Sequence, residues 1–384
     1  MIGNIVDYIK EYGGETFSER PLCEVDALVL SQFAYLKFEG LIPGPEVNEP
    51  SVSVENLTNS PDFDMLFSDV RYEKPNRELY NAMVSSKRFS DMLINCHINI
   101  VEKERETQFS ATTFILNDGR IFIAFRGTDE NIIGWKEDLN MTFMDPIPGQ
   151  SLAAQYINTV AGKFKGDFYV GGHSKGGNLS VYASMTCSKT IQDRIIHVYS
   201  MDGPGFRPEL LVKYGYDAIK DRTTKILPHS SLVGMLFENK MIFKVVESNS
   251  FGLKQHDPYT WLVRDLKFIE VEGLYRSRSR SDDNINEWIC SLNADERKAF
   301  IDTLFDVIDG SEVDNTIDLG REWKNSTLKM AKKMKDLDPI TREMMTKIIK
   351  MLFEIASEKL RRQMKADIEE AKTFLENVKI TGKG

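Results

Sequence analysis

The chain has 384 residues, with 49 Lys plus Arg against 58 Asp plus Glu, a formal balance of −9 and a pI of about 5.3. That acidity argues against a protein whose affinity rests on neutralising nucleic-acid phosphates. An apolar fraction of 41% beside 28% charged residues is ordinary globular composition with a sizeable core, Asp7, Lys10 and Glu11 interrupt the first stretch, and no apolar run approaches the ~18 residues of a membrane span, so neither a signal peptide nor a spanning helix is read.

Residues 1–95 read as a mainly helical segment packed on the core, with an exposed connection rich in Pro, Asn and Ser over 40–64. From Ile98 the pattern turns to period two, and Asp118-Gly119 between TTFIL and IFIAF predicts a hairpin. Across 96–273 the elements alternate: an amphipathic helix over 150–164, the strand DFYVGG, a helix over 176–185, the strand IHVYSM, then TTKIL and IFKVVES, with LKFIEVE at the sheet edge. Alternation of this kind marks βαβ units. The predicted fold class is therefore α/β, a mostly parallel central sheet flanked by helices, with a helical N-terminal segment and a helical C-terminal extension.

The extension, 274–384, opens on LYRSRSRSDD, where Arg276, Arg278 and Arg280 alternate with serine. This is a solvated linker or, read functionally, an RNA-binding arm or phosphosite cluster; three arginines in an acidic chain are too few to carry nucleic-acid affinity. Asp338-Pro339 makes a helix start, and behind it Met345, Ile348, Leu352, Ile355, Leu360, Met364, Ile368, Ala371, Leu375 and Val378 form a narrow apolar stripe. It either lies along its own domain or serves partner binding or self-association. Cys23, Cys96, Cys187 and Cys290 are far apart without CxxC spacing, which fits reduced cytoplasmic thiols. No metal cluster, P-loop or dinucleotide fingerprint is present in the sequence, so no cofactor and no metal are expected.

The segment that carries chemistry is DFYVGGHSKGGNLSVYAS. Gly172-His173-Ser174-Lys175-Gly176 is a GxSxG pattern between an apolar strand and a helix-compatible run, the context of a nucleophile elbow. On such a turn the serine hydroxyl is exposed, the glycines avoid collision with neighbouring elements, and the Lys175 amide at the helix start can donate to a developing oxyanion. The bland reading of the same residues is a structural tight turn. A serine needs a base within hydrogen-bond reach. His173 adjoins it and should point away into packing, His97 precedes the sheet, and His197 begins a strand. His229 and His256 both follow strands onto the catalytic rim. His256, in GLKQHDPYTW, is favoured because it completes the chain order Ser, acid, His. For the orienting acid, Asp257 diverges from the ring as its sequence neighbour and Asp221 lies at the wrong end of its strand; Asp202 in YSMDGPGF is left, otherwise a turn cap. The second oxyanion donor is expected from IFIAFRGTDE, where Gly127 permits close approach and Thr128 offers an amide or hydroxyl.

IAFRGTDE with GWKEDLN, followed by GGHSKGGNLSVYAS, resembles the class 3, fungal-type lipases of the α/β-hydrolase fold. SMDGPGF, LPHSSLVGMLF and QHDPYTW are similar to a bacterial family related to those lipases, and the likeness covers roughly residues 20–310. It implies Ser174 as nucleophile, His256 as base, and Thr128 and Lys175 as oxyanion donors. Class 3 lipases usually place the acid in a D-x-V-P stretch, where this chain has Ser231 in SSLVG, so either Asp202 has taken over the role or the third member is missing. Lys175 replaces the leucine common after the lipase serine, which argues against a purely apolar acyl pocket. Met141, Phe143, Met144 and Ile147 follow FRGT where those lipases carry a lid, and they either close over an acyl chain or are buried packing. The expectation is a cytoplasmic serine hydrolase of carboxylic esters, lipase- or esterase-like, using a small-molecule ester or lipid, with no nucleic-acid partner and no stable membrane insertion. An acyltransferase or thioesterase with the same site is one alternative. A decayed scaffold that binds a protein partner through its C-terminal helices is the other.

Overall fold

Successive residues of a strand face opposite sides of a sheet, and in Ile121–Phe125 both sets are apolar, which calls for cover on both faces. A computed structural model of the chain supplies that cover; it describes residues 2–68, 70–129, 131–237, 241–274, 288–289, 291–309 and 337–349. Its main sheet has eight strands in sequence order: β1 (Val52–Ser53), β2 (Leu93–Glu102), β3 (Thr107–Ile115), β4 (Ile121–Phe125), β5 (Phe168–His173), β6 (Ile195–Met201), β7 (Thr223–Pro228) and β8 (Phe243–Val246). Neighbours from β1 to β4 are antiparallel and those from β4 to β8 are parallel. The β3–β4 hairpin turns through Asp118-Gly119, with Gly119 at φ +83.

The helices are α1 (Ile5–Tyr12), α2 (Glu24–Phe33), α3 (Glu73–Val84), α4 (Ile132–Asn140), α5 (Pro148–Lys163), α6 (Lys175–Thr186), α7 (Lys189–Gln192), α8 (Pro208–Lys213) and α9 (Ala294–Asp309). Phe114, Phe122, Tyr169 and Met201 face one side of the sheet and share a core with Ile9, Leu28, Phe33 and Met83 of α1–α3. Ile121, Ile123, Phe125 and Val170 face the other side and meet Ile157, Val160, Leu179 and Val181 of α5 and α6. The result is a helix–sheet–helix sandwich with the mostly parallel sheet of an α/β-hydrolase fold, in which the N-terminal helices are one of the covering layers.

Two details differ from the sequence reading. The sheet takes up the chain at Leu93, so the boundary read at residue 95 falls inside β2, and His97 lies within that strand rather than before it. A bulge between Asn95 and Ile98, with Cys96 at φ 55, breaks the period there and hides the strand's start. Lys267–Phe268 (β10) pairs with Val263–Arg264 (β9) in a separate ribbon and touches the main sheet through the single bridge Val246–Glu270.

The chain divides into two compact units, Met1–Asp129 with Ile133–Leu292, and Glu130–Ile132 with Asn293–Gly384. In the second, Asn293 and Glu296 exchange backbone-to-side-chain hydrogen bonds at the start of α9, which buries Ile301, Leu304 and Ile308. Asp338 caps the next helix by accepting from the amides of Ile340 and Thr341, and of its stripe Met345 and Ile348 are buried. The stripe from Leu352 to Val378, the arginines at 276, 278 and 280, and Cys290 lie outside the described residues. No described helix is long and apolar enough to cross a membrane.

Candidate active site

The carboxyl ends of the parallel strands deliver the candidate residues in turn: Thr128 after β4, Ser174 after β5, Asp202 after β6, Ser231 after β7 and His256 after β8. The ladder continues past the strands, since Ser174 N–H donates to the Met201 carbonyl at 2.9 Å and Asp202 N–H to the Ile226 carbonyl at 2.8 Å. Ser174 stands between β5 and α6 at φ 59, ψ −132, a backbone state that L-residues rarely hold without surrounding support. The support is steric. A Cβ on Gly172 would fall 2.3 Å from the Gly176 carbonyl carbon, and one on Gly176 would fall 2.0 Å from the Phe125 carbonyl oxygen. Lys175 is the first helical residue, so its N–H has no acceptor within α6.

Asp202 and His256 are brought together. Asp202 Oδ2 lies 2.6 Å from His256 Nδ1, and both residues are buried. The other carboxylate oxygen, Oδ1, accepts from the Ser231 hydroxyl and, at 3.2 Å, from the Gly234 amide. Lys225, fully buried on β7, donates from Nζ to the Gly234 carbonyl at 2.9 Å. Burial pushes this lysine down to about 7, against the opposing pull of the Asp202 charge. Ser231, at the position where the class 3 acid is expected, thus holds the carboxylate that pairs with the imidazole.

The other histidines are occupied elsewhere. His229 is flanked by Gln255 Nε2, 2.7 Å from its Nε2, and by the Ser248 amide, which donates to its Nδ1 at 3.3 Å. His97 faces Thr112 and His197 faces Thr224. His173 does not point into remote packing: its ring lies 4.4 Å from that of His256, centroid to centroid, with Tyr35 Oη 3.3 Å from its Nδ1. Burial first, then the charges of His256 and Arg71, hold His173 well below the usual imidazole range. Any imidazolium in the stacked pair is therefore on His256. Asp257 caps its own turn by accepting from Tyr259 N–H, and Asp221 lies at the amino end of β7.

Gly127 brings the β4 loop against the elbow, since a Cβ there would fall 2.8 Å from Ser174 Cβ and 2.6 Å from the His173 carbonyl oxygen. The Thr128 hydroxyl is engaged, donating to Asp138 Oδ2 at 2.6 Å, which leaves its amide as the donor for an oxyanion. Burial raises Asp138 to about 6, with Lys175 and Thr128 opposing. The Lys175 side chain is not in an acyl pocket. Its Nζ is buried, 2.8 Å from both Glu137 Oε2 and the Gln108 carbonyl. Met141 and Ile147 are buried in a small apolar cluster with Phe237, Met144 packs on it, and Phe143 is half-buried.

A cleft of about 260 Å³, its open mouth included, adjoins His256, His173 and Thr128. Its remaining wall comes from the N-terminal segment: Gln32 and Tyr35 of α2, and Arg71 and Tyr72 ahead of α3. Sequence reasoning missed these four. The available signal was a Gln and a Tyr three residues apart on a helix that is otherwise almost wholly apolar. Among the described residues no group of three His, Cys, Asp or Glu could hold a metal ion.

With this geometry in hand, residues 83–306 match the Mbeg1-like family, more than half of the chain. The chain belongs to the Mbeg1-like family. No curated protein matches it. Among solved structures, this Mbeg1-like chain is similar to the native propeptide complex of Rhizomucor miehei lipase, at 16% identity and a TM-score of 0.35 over 47% of this chain and 68% of that one. It is likewise similar to M37 lipase, at 17% identity and a TM-score of 0.34 over 56% of this chain and 69% of that one.

Proposed function

We propose that this chain is a serine hydrolase of carboxylic esters, lipase- or esterase-like. The observation that carries the reading is the 2.6 Å contact between Asp202 and His256 on the strand-end rim that also bears Ser174. Ser174 Oγ attacks the ester carbonyl while His256 Nε2 takes the hydroxyl proton, and Asp202 fixes the ring through Nδ1. The carbonyl oxygen becomes an oxyanion received by the amides of Lys175 and Thr128. His256 returns its proton to the departing alkoxide, which leaves as the alcohol. Water then repeats the sequence on the acyl-enzyme, freeing the acid and Ser174. Movement of the 141–147 segment off Phe237 would open the apolar face of Met141, Met144 and Ile147 to an acyl chain.

A fluorophosphonate probe tests the reading. Ser174 in the unaltered protein should be labelled, Ser174→Ala should not, and His256→Ala should label at least about a hundredfold more slowly, as loss of a general base requires. Absence of label on the unaltered protein would favour the non-catalytic scaffold instead.

A further inference from the structure

One wall of the cleft has no part in the chemistry just described. Arg71 and Tyr72 stand there with Gln32 and Tyr35, opposite groups that the ester reaction uses. The placement is built. Asn76, buried on α3, donates from Nδ2 to the Arg71 carbonyl at 2.8 Å, and its Oδ1 accepts from Gln32 at 2.9 Å and from Tyr259 Oη at 2.6 Å. One side chain thereby ties the Arg71 backbone to α2 and to the turn three residues past His256. Tyr72 sits in the left-handed region at φ 65, ψ 44, and its ring carries the Arg71 guanidinium 5.1 Å from its centroid.

The charge balance of this cleft is one-sided. Arg71 is the only residue of its wall with a fixed charge, and no carboxylate lines it. Its positive charge is felt by both Tyr35 and His173, which places the guanidinium within Coulomb range of the stacked imidazoles. The other charges near Tyr35 are already engaged: Arg126 with Asn99 and Asp129, and Asp138 with Thr128. A guanidinium offers five donors in a planar fork, so one protein contact does not exhaust its capacity for an oxyanion such as carboxylate or phosphate.

We propose that Arg71 is the anion-recognition residue of an alcohol subsite, and that the preferred substrates are acyl esters whose alcohol carries a carboxylate or phosphate close to the scissile oxygen. The inference rests on the ester-hydrolase reading and adds its substrate class. The alcohol side is assigned because the cleft adjoins His256, which protonates the departing oxygen, and Arg71 acts on His173, which stacks on His256. Tyr35 and Gln32 supply neutral polar edges between the two, suited to a hydroxylated alcohol.

The test compares 4-nitrophenyl butyrate with 3-carboxy-4-nitrophenyl butyrate, which differ by one carboxylate on the leaving group. The unaltered protein should show kcat/KM about tenfold higher for the charged ester, the scale of one charge-assisted hydrogen bond. In Arg71→Met the ratio should fall to about one through a rise in KM for the charged ester, and Arg71→Lys should restore part of it; Arg71→Gln replaces Arg71→Met if the latter does not fold. Competition by glycerol phosphate against glycolate tells a phosphate-bearing alcohol from a carboxylate-bearing one. Equal kcat/KM for the two esters in the unaltered protein, or a preference that survives Arg71→Met, overturns the proposal. If neither ester is turned over and Ser174 takes no label, it is hydrolysis that fails. Equilibrium dialysis of both intact esters on Ser174→Ala then decides the subsite: tighter binding of the charged ester, lost on adding Arg71→Met, supports it, and equal binding refutes it.

Discussion

Asp202 divides its two oxygens between two tasks, one facing the His256 ring and the other held by Ser231 and Gly234. Lys225 anchors the same loop from beneath, and its burial has a measurable signature in pH. A lysine that titrates near 10.5 when unfolded and at about 7 when folded favours the neutral amine in the native state. Its contribution to stability is complete above the unfolded value, declines as the pH falls between the two, and is at its least favourable below about 7. Lys225→Met removes this dependence. The variant should gain stability over the unaltered protein near pH 6, by roughly 4 kcal/mol less about 1 kcal/mol for the lost hydrogen bond to Gly234. The gain should vanish near pH 10. Urea denaturation at the two pH values measures it, and an offset that does not change with pH would contradict a titrating Lys225. The acid itself was legible from strand order alone, because a residue following β6 must emerge beside one following β5. Ser231 as the donor that steadies Asp202 was not legible, since nothing in SSLVG specifies which way its hydroxyl turns.

At the level of the element, the elbow is the most constrained piece of backbone in the site. Gly176→Ala would drive a methyl into the carbonyl of Phe125, an atom of β4 that cannot swing aside. Labelling of Ser174 should slow by at least about tenfold in that variant, because a displacement of about 1 Å is enough to spoil attack geometry. Gly162→Ala is the matched control. It lies in α5 with nothing near its added carbon, so labelling should be unchanged and stability should rise by about 0.5–1 kcal/mol. A slow Gly162→Ala or a fully reactive Gly176→Ala would dissociate reactivity from the packing of the turn. The elbow was readable because its requirement is local: a strand, two close approaches and a helix start occupy consecutive residues. The start of β2 was not, because the bulge at Cys96 shifts the period by which strands are recognised.

Across the whole molecule, the N-terminal layer is fastened by a buried ion pair. Arg88 donates to both oxygens of Asp26, at 2.8 and 2.6 Å, and to three backbone carbonyls of the 15–20 loop, with its guanidinium 3.9 Å from the Phe17 ring centroid. Arg88→Met should cost roughly 3–5 kcal/mol of unfolding free energy, because Asp26 is left charged and buried; adding Asp26→Leu should return much of it. Denaturant midpoints of the single and double variants measure both effects, and a double variant no more stable than Arg88→Met would show that the pair matters beyond its charge balance. This layer also supplies one wall of the cleft, although nothing in its sequence announces chemistry. By itself the sequence determined the α/β alternation, the strained serine turn, and the order in which Ser174, Asp202 and His256 reach one rim, since each follows from periodicity, from steric limits within a few residues, or from the direction of parallel strands. Only the tertiary structure decided that Lys175 turns inward to Glu137, that the Thr128 hydroxyl is taken by Asp138, and that Tyr35 meets His173 from 138 residues away. Those contacts join side chains whose separation along the chain exceeds any local pattern, and their partners are selected by the packing of the layers.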